Sequence, residues 1–116
     1  MPKSATNLAC ELLSRADDAL EDLEIHQFRD GAETHDDEGM QELYANFEAM
    51  FERARSELST SCGQPVRTGN DYDEDIPLNG IVRFAIWKIE SKLLYLAFAH
   101  EDRELSILLM LGTVSR

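Results

Sequence analysis

A chain of 116 residues with 43% hydrophobic, 8% aromatic and 29% charged side chains can bury one core without metals or disulfides, and its composition excludes collagen, coiled-coil fibre and wholesale disorder. Asp and Glu number 23 against 11 Lys and Arg, a formal charge of −12 at pH 7. Affinity for phosphate backbones and anionic lipid comes chiefly from clustered cations, so nucleic acid and membrane surfaces are excluded as electrostatic partners and basic proteins are favoured.

Met1 to Asn7 lead into an acidic amphipathic stretch and lack the apolar segment and small-residue cleavage site of a secretory leader. Leu105 to Leu111, the most apolar run, falls far short of the ~20 residues that span a bilayer. A soluble, cytoplasmic protein is expected, with Cys10 and Cys62 reduced and each acting as a small buried hydrophobe.

From Ser4 to Ile25, Leu8, Leu12, Leu13, Ala16, Ala19, Leu20 and Leu23 recur at three- and four-residue spacings with acids between them, which predicts an amphipathic helix capped by Ser4 or Thr6. Residues 29 to 39 carry two glycines and almost no apolar side chain, so they form a solvated connection. A second helix follows, with Met40, Leu43, Tyr44, Phe47, Met50, Phe51, Ala54 and Leu58 on one face and Gly63 placed to stop it. The short connection favours an antiparallel helical hairpin.

Between Gly63 and Gly80, Pro65, Gly69, Asn70, Pro77 and Asn79 mark a connection long enough for a role of its own. Ile81 to Ile89, Leu93 to Ala99 and Leu105 to Leu111 are β-branched, aromatic or aliphatic, and polar breaks of hairpin length separate them. Three strands of an antiparallel meander are predicted in preference to helix. Both faces of these strands are apolar, and two helices cover only one. Another segment, a second subunit or a partner must cover the other. The first 63 residues hold 15 acidic and 5 basic side chains and the remainder 8 and 6, so the helical half carries most of the excess charge.

Asp71-Tyr72-Asp73-Glu74-Asp75 opens like a calcium loop, but Ile76 and Val82 stand where that loop needs Gly and Glu. The same carboxylates around one aromatic suit recognition of Arg or Lys, with Tyr72 supplying contact area. His100-Glu101-Asp102-Arg103-Glu104 gathers an imidazole and three carboxylates in one turn, where metal binding or acid–base chemistry has to be weighed against a surface turn. His35-Asp36-Asp37-Glu38 precedes the second helix, whose dipole explains its acids. Cys62, near a helix C-terminus in acidic surroundings, is poorly placed to become a thiolate. Trp87 and Tyr95 fall on neighbouring strands as a candidate aromatic pair, with Trp87 otherwise offered to an apolar docking patch.

Trp87, Leu94-Tyr95-Leu96, His100-Glu101-Asp102-Arg103-Glu104-Leu105 and Leu111-Gly112 together form a run that resembles the β-meander of small bacterial immunity-type proteins, which neutralise a cognate toxin. The resemblance covers the C-terminal third and implies a cytoplasmic, non-catalytic inhibitor. Charge points independently to a basic target.

These readings predict a single α+β domain, an N-terminal antiparallel helical hairpin packed on a C-terminal three-stranded antiparallel meander, without cofactor or metal. It binds a basic toxin or effector through Asp71, Tyr72, Asp73, Glu74, Asp75, Trp87, Glu101 and Asp102. Two rivals remain: a secretion chaperone that homodimerises through the uncovered sheet face, and a small metal-dependent hydrolase using His100 with Glu101 or Asp102.

Overall fold

The computed structural model describes residues 4–15, 17–28, 37–101 and 106–115. Helix α1 (Ala5–Leu13) begins where Ser4 accepts the Asn7 N–H on its hydroxyl at 3.1 Å, and it buries Ala5, Leu8, Ala9 and Leu12. It stops at Ser14, whose hydroxyl donates to the Glu11 carbonyl at 2.7 Å. The predicted helix to Ile25 is therefore overturned. Ala19–His26 is strand β1, paired antiparallel with the last strand of the sheet, Ile107–Ser115.

A β-bulge accounts for the difference. Asp22 stands opposite Met110 and Glu24 opposite Leu109, so Leu23 is an extra residue in the ladder. Ala19 and Leu23 both pack toward the helices. Two apolar residues four apart on one side imitate a helical face in the sequence, and cross-strand pairing overrides that weak local signal. Asp18 fixes the start of β1 by accepting the Ser115 N–H at 2.9 Å.

Helix α2 (Asp37–Cys62) carries Asp37 and Glu38 in its first turn and buries Phe47, Phe51, Ala54 and Leu58. Gly63, at φ +83°, takes the left-handed conformation that ends it and donates its N–H to the Ser59 carbonyl at 2.9 Å. The two helices touch, with the Ala5 N–H donating to Glu57 Oε2 at 3.2 Å, yet β1 lies between them in the chain and they are no hairpin.

Among the described residues the sheet has five antiparallel strands rather than three. Strand β2 (Arg67–Gly69) pairs with β3 (Ile81–Ile89), which pairs with β4 (Lys92–Ala99), which pairs with β5 (Ile107–Ser115), giving the order β1-β5-β4-β3-β2. The predicted strand over 105–111 thus runs on to Ser115. Gly112 lies within it, its bare backbone under the Tyr95 ring, where a Cβ would fall 2.3 Å from the phenol oxygen.

Both helices cover one face of this sheet, over Ala85, Trp87, Leu94, Leu96, Phe98, Ile107, Leu109 and Leu111. On the other face Ile81, Phe84, Ile86, Leu93, Tyr95, Ala97 and Val114 are met by Ile76, itself 1% exposed, with Leu78 beside it. Of the three covers expected for that face, another segment of the chain, residues 70–80, supplies the one seen over β3 and β4. Trp87 stands opposite Leu94, and Tyr95 opposite Ile86 and Gly112. The two aromatics belong to opposite faces and form no pair.

Candidate protein interface

Arg67 organises the acidic loop. Its guanidinium donates to both carboxylate oxygens of Asp73, at 2.7 and 2.9 Å, and to Asp75 Oδ2 at 2.7 Å. Asp73 is only 9% exposed and also accepts the Asp75 N–H at 2.9 Å. The Arg67 bonds hold the Asp73 carboxyl below its usual pKa despite burial, and the two carboxylates raise that of Arg67 in turn. This clamp sets the turn that brings Ile76 down onto the sheet. Asp73 is therefore turned inward, while Asp71, Tyr72 and Glu74 remain at the surface.

The remaining predicted site residues scatter. Trp87 is buried in the helix-side core and donates its indole N–H to the Gly63 carbonyl at 2.8 Å, so it reaches no docking patch. Glu101 is exposed and accepts from Asn79 at 3.4 Å. Asp102 lies outside the described residues, as do His35 and Asp36. His100 Nδ1 lies 2.6 Å from the Tyr44 hydroxyl, and its ring packs against Phe28 and Tyr44 at 5.8 and 5.5 Å. Among the described residues no group of His, Cys, Asp and Glu could hold a metal ion. Cys10 is exposed, contrary to expectation, because it falls on the outer side of α1. Burial, with Cys10 a lesser cause, pushes the Cys62 thiol up and away from the thiolate.

The fold assembles a site that spacing alone does not show. The start of β1, the acidic loop, Tyr95 of β4 and the C-terminal end of β5 border a cleft of about 320 Å³ lined by Asp18, Leu20, Glu74, Asp75, Tyr95 and Val114, with Pro77 on its wall. Carboxylates stand on both sides of an apolar floor. Tyr95 is 1% exposed and lines the floor of the cleft. Burial, reinforced by the negative charge of Asp18, pushes its pKa up to about 12, which keeps the phenol a neutral donor. An acidic rim over an apolar floor suits the aliphatic stem and cationic head of a Lys or Arg side chain.

Elsewhere Arg55, Arg83 and Lys92 are held by groups of the chain itself, while Arg53 on α2 is exposed. Arg83 pairs with Glu48 and Glu52, the latter at 2.6 Å, and lies 5.1 Å over the Phe51 ring. Arg55 shares Glu52 at 2.7 Å, and these bonds, led by that from Arg55, lower the Glu52 pKa. The larger cleft beside them, about 660 Å³ between α2 and the β2–β3 edge, is therefore lined by a charge-balanced set. Lys92 reaches the Leu13 and Arg15 carbonyls at the end of α1. On β1, by contrast, Glu21, Asp22 and Glu24 are exposed, and the Arg15–Glu21 pair at 3.5 Å is the one ion pair they make among the described residues.

Asp18, Leu20 and Tyr95 escape the sequence reading because spacing places the first two on a helix and the third in a candidate aromatic pair. A legible signal existed at Arg67, the one cation in a seventeen-residue acidic connection, six and eight residues from Asp73 and Asp75. No helix among the described residues is long and apolar enough to cross a membrane. No protein-family model, curated protein or solved structure matches the chain.

Proposed function

We propose that the chain is a non-catalytic, acidic protein-binding domain of the cytoplasm that captures a basic protein, acting as an immunity-type inhibitor of a cationic toxin. One observation carries this reading: Arg55, Arg67 and Arg83 each pair with carboxylates of the chain itself, while Glu21, Asp22 and Glu24 of β1 and Glu74 at the cleft rim are exposed beside the exposed Leu20. Such a surface steers a cationic protein toward it and selects its orientation by charge complementarity. The apolar floor adds contact area that a purely solvating acidic surface lacks.

The test is co-expression with the proteins encoded beside its gene. Relief of growth arrest caused by a basic neighbour, with an association rate that falls steeply as salt rises, is the expected result. Failure to bind any basic neighbour, or binding indifferent to salt, overturns the reading.

A further inference from the structure

The two edges of the sheet differ. At one, β2 is three residues long and continues into the Val66 N–H bond to the Ile86 carbonyl, so little of it is left to recruit another strand. At the other, β1 is eight residues long and pairs on one side with β5, and no described strand pairs with its outer side.

The ladder identifies which groups face out. Ser115 turns its N–H toward the β1 side, where Asp18 accepts it. By the alternation of an antiparallel pair, the amides of Leu20, Asp22 and Ile25, opposite Gly112, Met110 and Leu108, turn away from β5. The Ile25 N–H accordingly bonds its neighbour's Glu24 Oε1, at 3.3 Å, instead of the sheet. The bulge at Leu23 breaks this edge, leaving Ala19 to Asp22 as its regular stretch. That stretch borders the acidic cleft, which Asp18, Ala19 and Leu20 help to line. Leu20 is 38% exposed and Ile25 40%, unusual for large apolar side chains in a strand.

We infer that the edge Ala19–Asp22 receives an extended basic segment of the partner as a sixth strand, a proposal that rests on the charge-based reading above. The occupant follows from the side chains. Apolar residues would lie opposite Ala19 and Leu20, cations opposite Glu21 and Asp22, and a further cation would enter the cleft beside Asp18 and Glu74. Main-chain hydrogen bonds give such a complex its affinity and the flanking charges its register. A second copy of this chain does not fit, because pairing β1 with β1 would bring the carboxylates of Glu21, Asp22 and Glu24 together.

The experiment uses the intact protein and a blocked peptide, Thr-Lys-Lys-Val-Val-Lys-Thr, beside the same peptide N-methylated at alternate residues, which keeps its charge and removes strand donors. Binding of the first at low salt, weakened about tenfold or more by N-methylation, is expected. Leu20→Pro removes an outward amide and spares the ladder to β5, so it should weaken the unmodified peptide about tenfold, whereas Ile25→Pro, beyond the bulge, should change it less than about twofold. Equal binding of both peptides, or indifference to Leu20→Pro, overturns the strand and leaves the charge-based reading intact. Binding of neither peptide also overturns the strand, and the charge-based reading then rests on co-expression with the basic neighbour.

Discussion

Of the four carboxylates between Asp71 and Asp75, Arg67 holds two, Asp73 and Asp75, in the loop whose Ile76 covers the sheet. Between Asp17 and Glu24 five carboxylates meet one guanidinium among the described residues, that of Arg15. The two stretches look alike in the sequence, each a run of acids with an apolar or aromatic residue among them. In the first the charges of Asp73 and Asp75 stabilise the fold and Glu74 is left for the cleft; in the second Glu21, Asp22 and Glu24 are exposed to a visitor. Local acidity therefore does not identify a recognition surface until the partners of each carboxylate are known.

Substitutions separate these roles. The largest effect is expected at Ile76→Ala, which removes the side chain that the clamp presses onto the sheet. A loss of about 3 kcal/mol in denaturant unfolding is the expected outcome. Asp73→Ala should cost roughly 2 kcal/mol by removing two charge-assisted bonds, and it should leave the salt dependence of partner association unaltered. If association slows with this variant as it does with β1 variants, the division between the two stretches fails.

Acid sharpens the same contrast. Asp73 and Glu52 have folded pKa values below those of the unfolded chain, so the unfolded state binds protons first as pH falls. Their stabilisation is complete above the ordinary carboxylate range, about pH 4, and disappears as pH drops through the folded values. Thermal melts should show the wild type losing stability below that range, with a shallower slope in Asp73→Ala.

Neutralising β1, by Glu21→Gln, Asp22→Asn and Glu24→Gln together, should move stability by no more than about 0.5 kcal/mol. The same triple variant should slow capture of a basic protein about tenfold at low salt, measured by stopped flow. Light scattering should report a monomer for the native chain and a rising dimer fraction for the variant, since like charges no longer oppose β1 pairing with itself. A native dimer would favour the chaperone reading instead. Tyr72→Ala, at a side chain 69% exposed, should be nearly silent in stability.

Much of the architecture is legible in residue order. Helix α2 shows as a repeating apolar face closed by Gly63, β3 as a β-branched and aromatic run and β4 as an aliphatic and aromatic run between polar breaks. Strand β1 is hidden because its bulge places Ala19 and Leu23 on one side, and β2 is too short to leave a pattern. The extension of β5 past Leu111 is concealed by Gly112, whose purpose is visible only once Tyr95 lies over it. The candidate interface is less legible still. It joins Asp18 to Glu74 and Asp75 across more than fifty residues, and the sequence marks none of that convergence.

The chain has a single tryptophan, whose indole is tied to the carbonyl that closes α2, on the side of the sheet away from the acidic cleft. Its emission should accordingly be blue-shifted in the native state and red-shift when α2 lifts from the strands. Capture of a cationic protein at the opposite face would leave that colour unchanged. Intrinsic fluorescence can thus report loss of the fold without interference from complex formation.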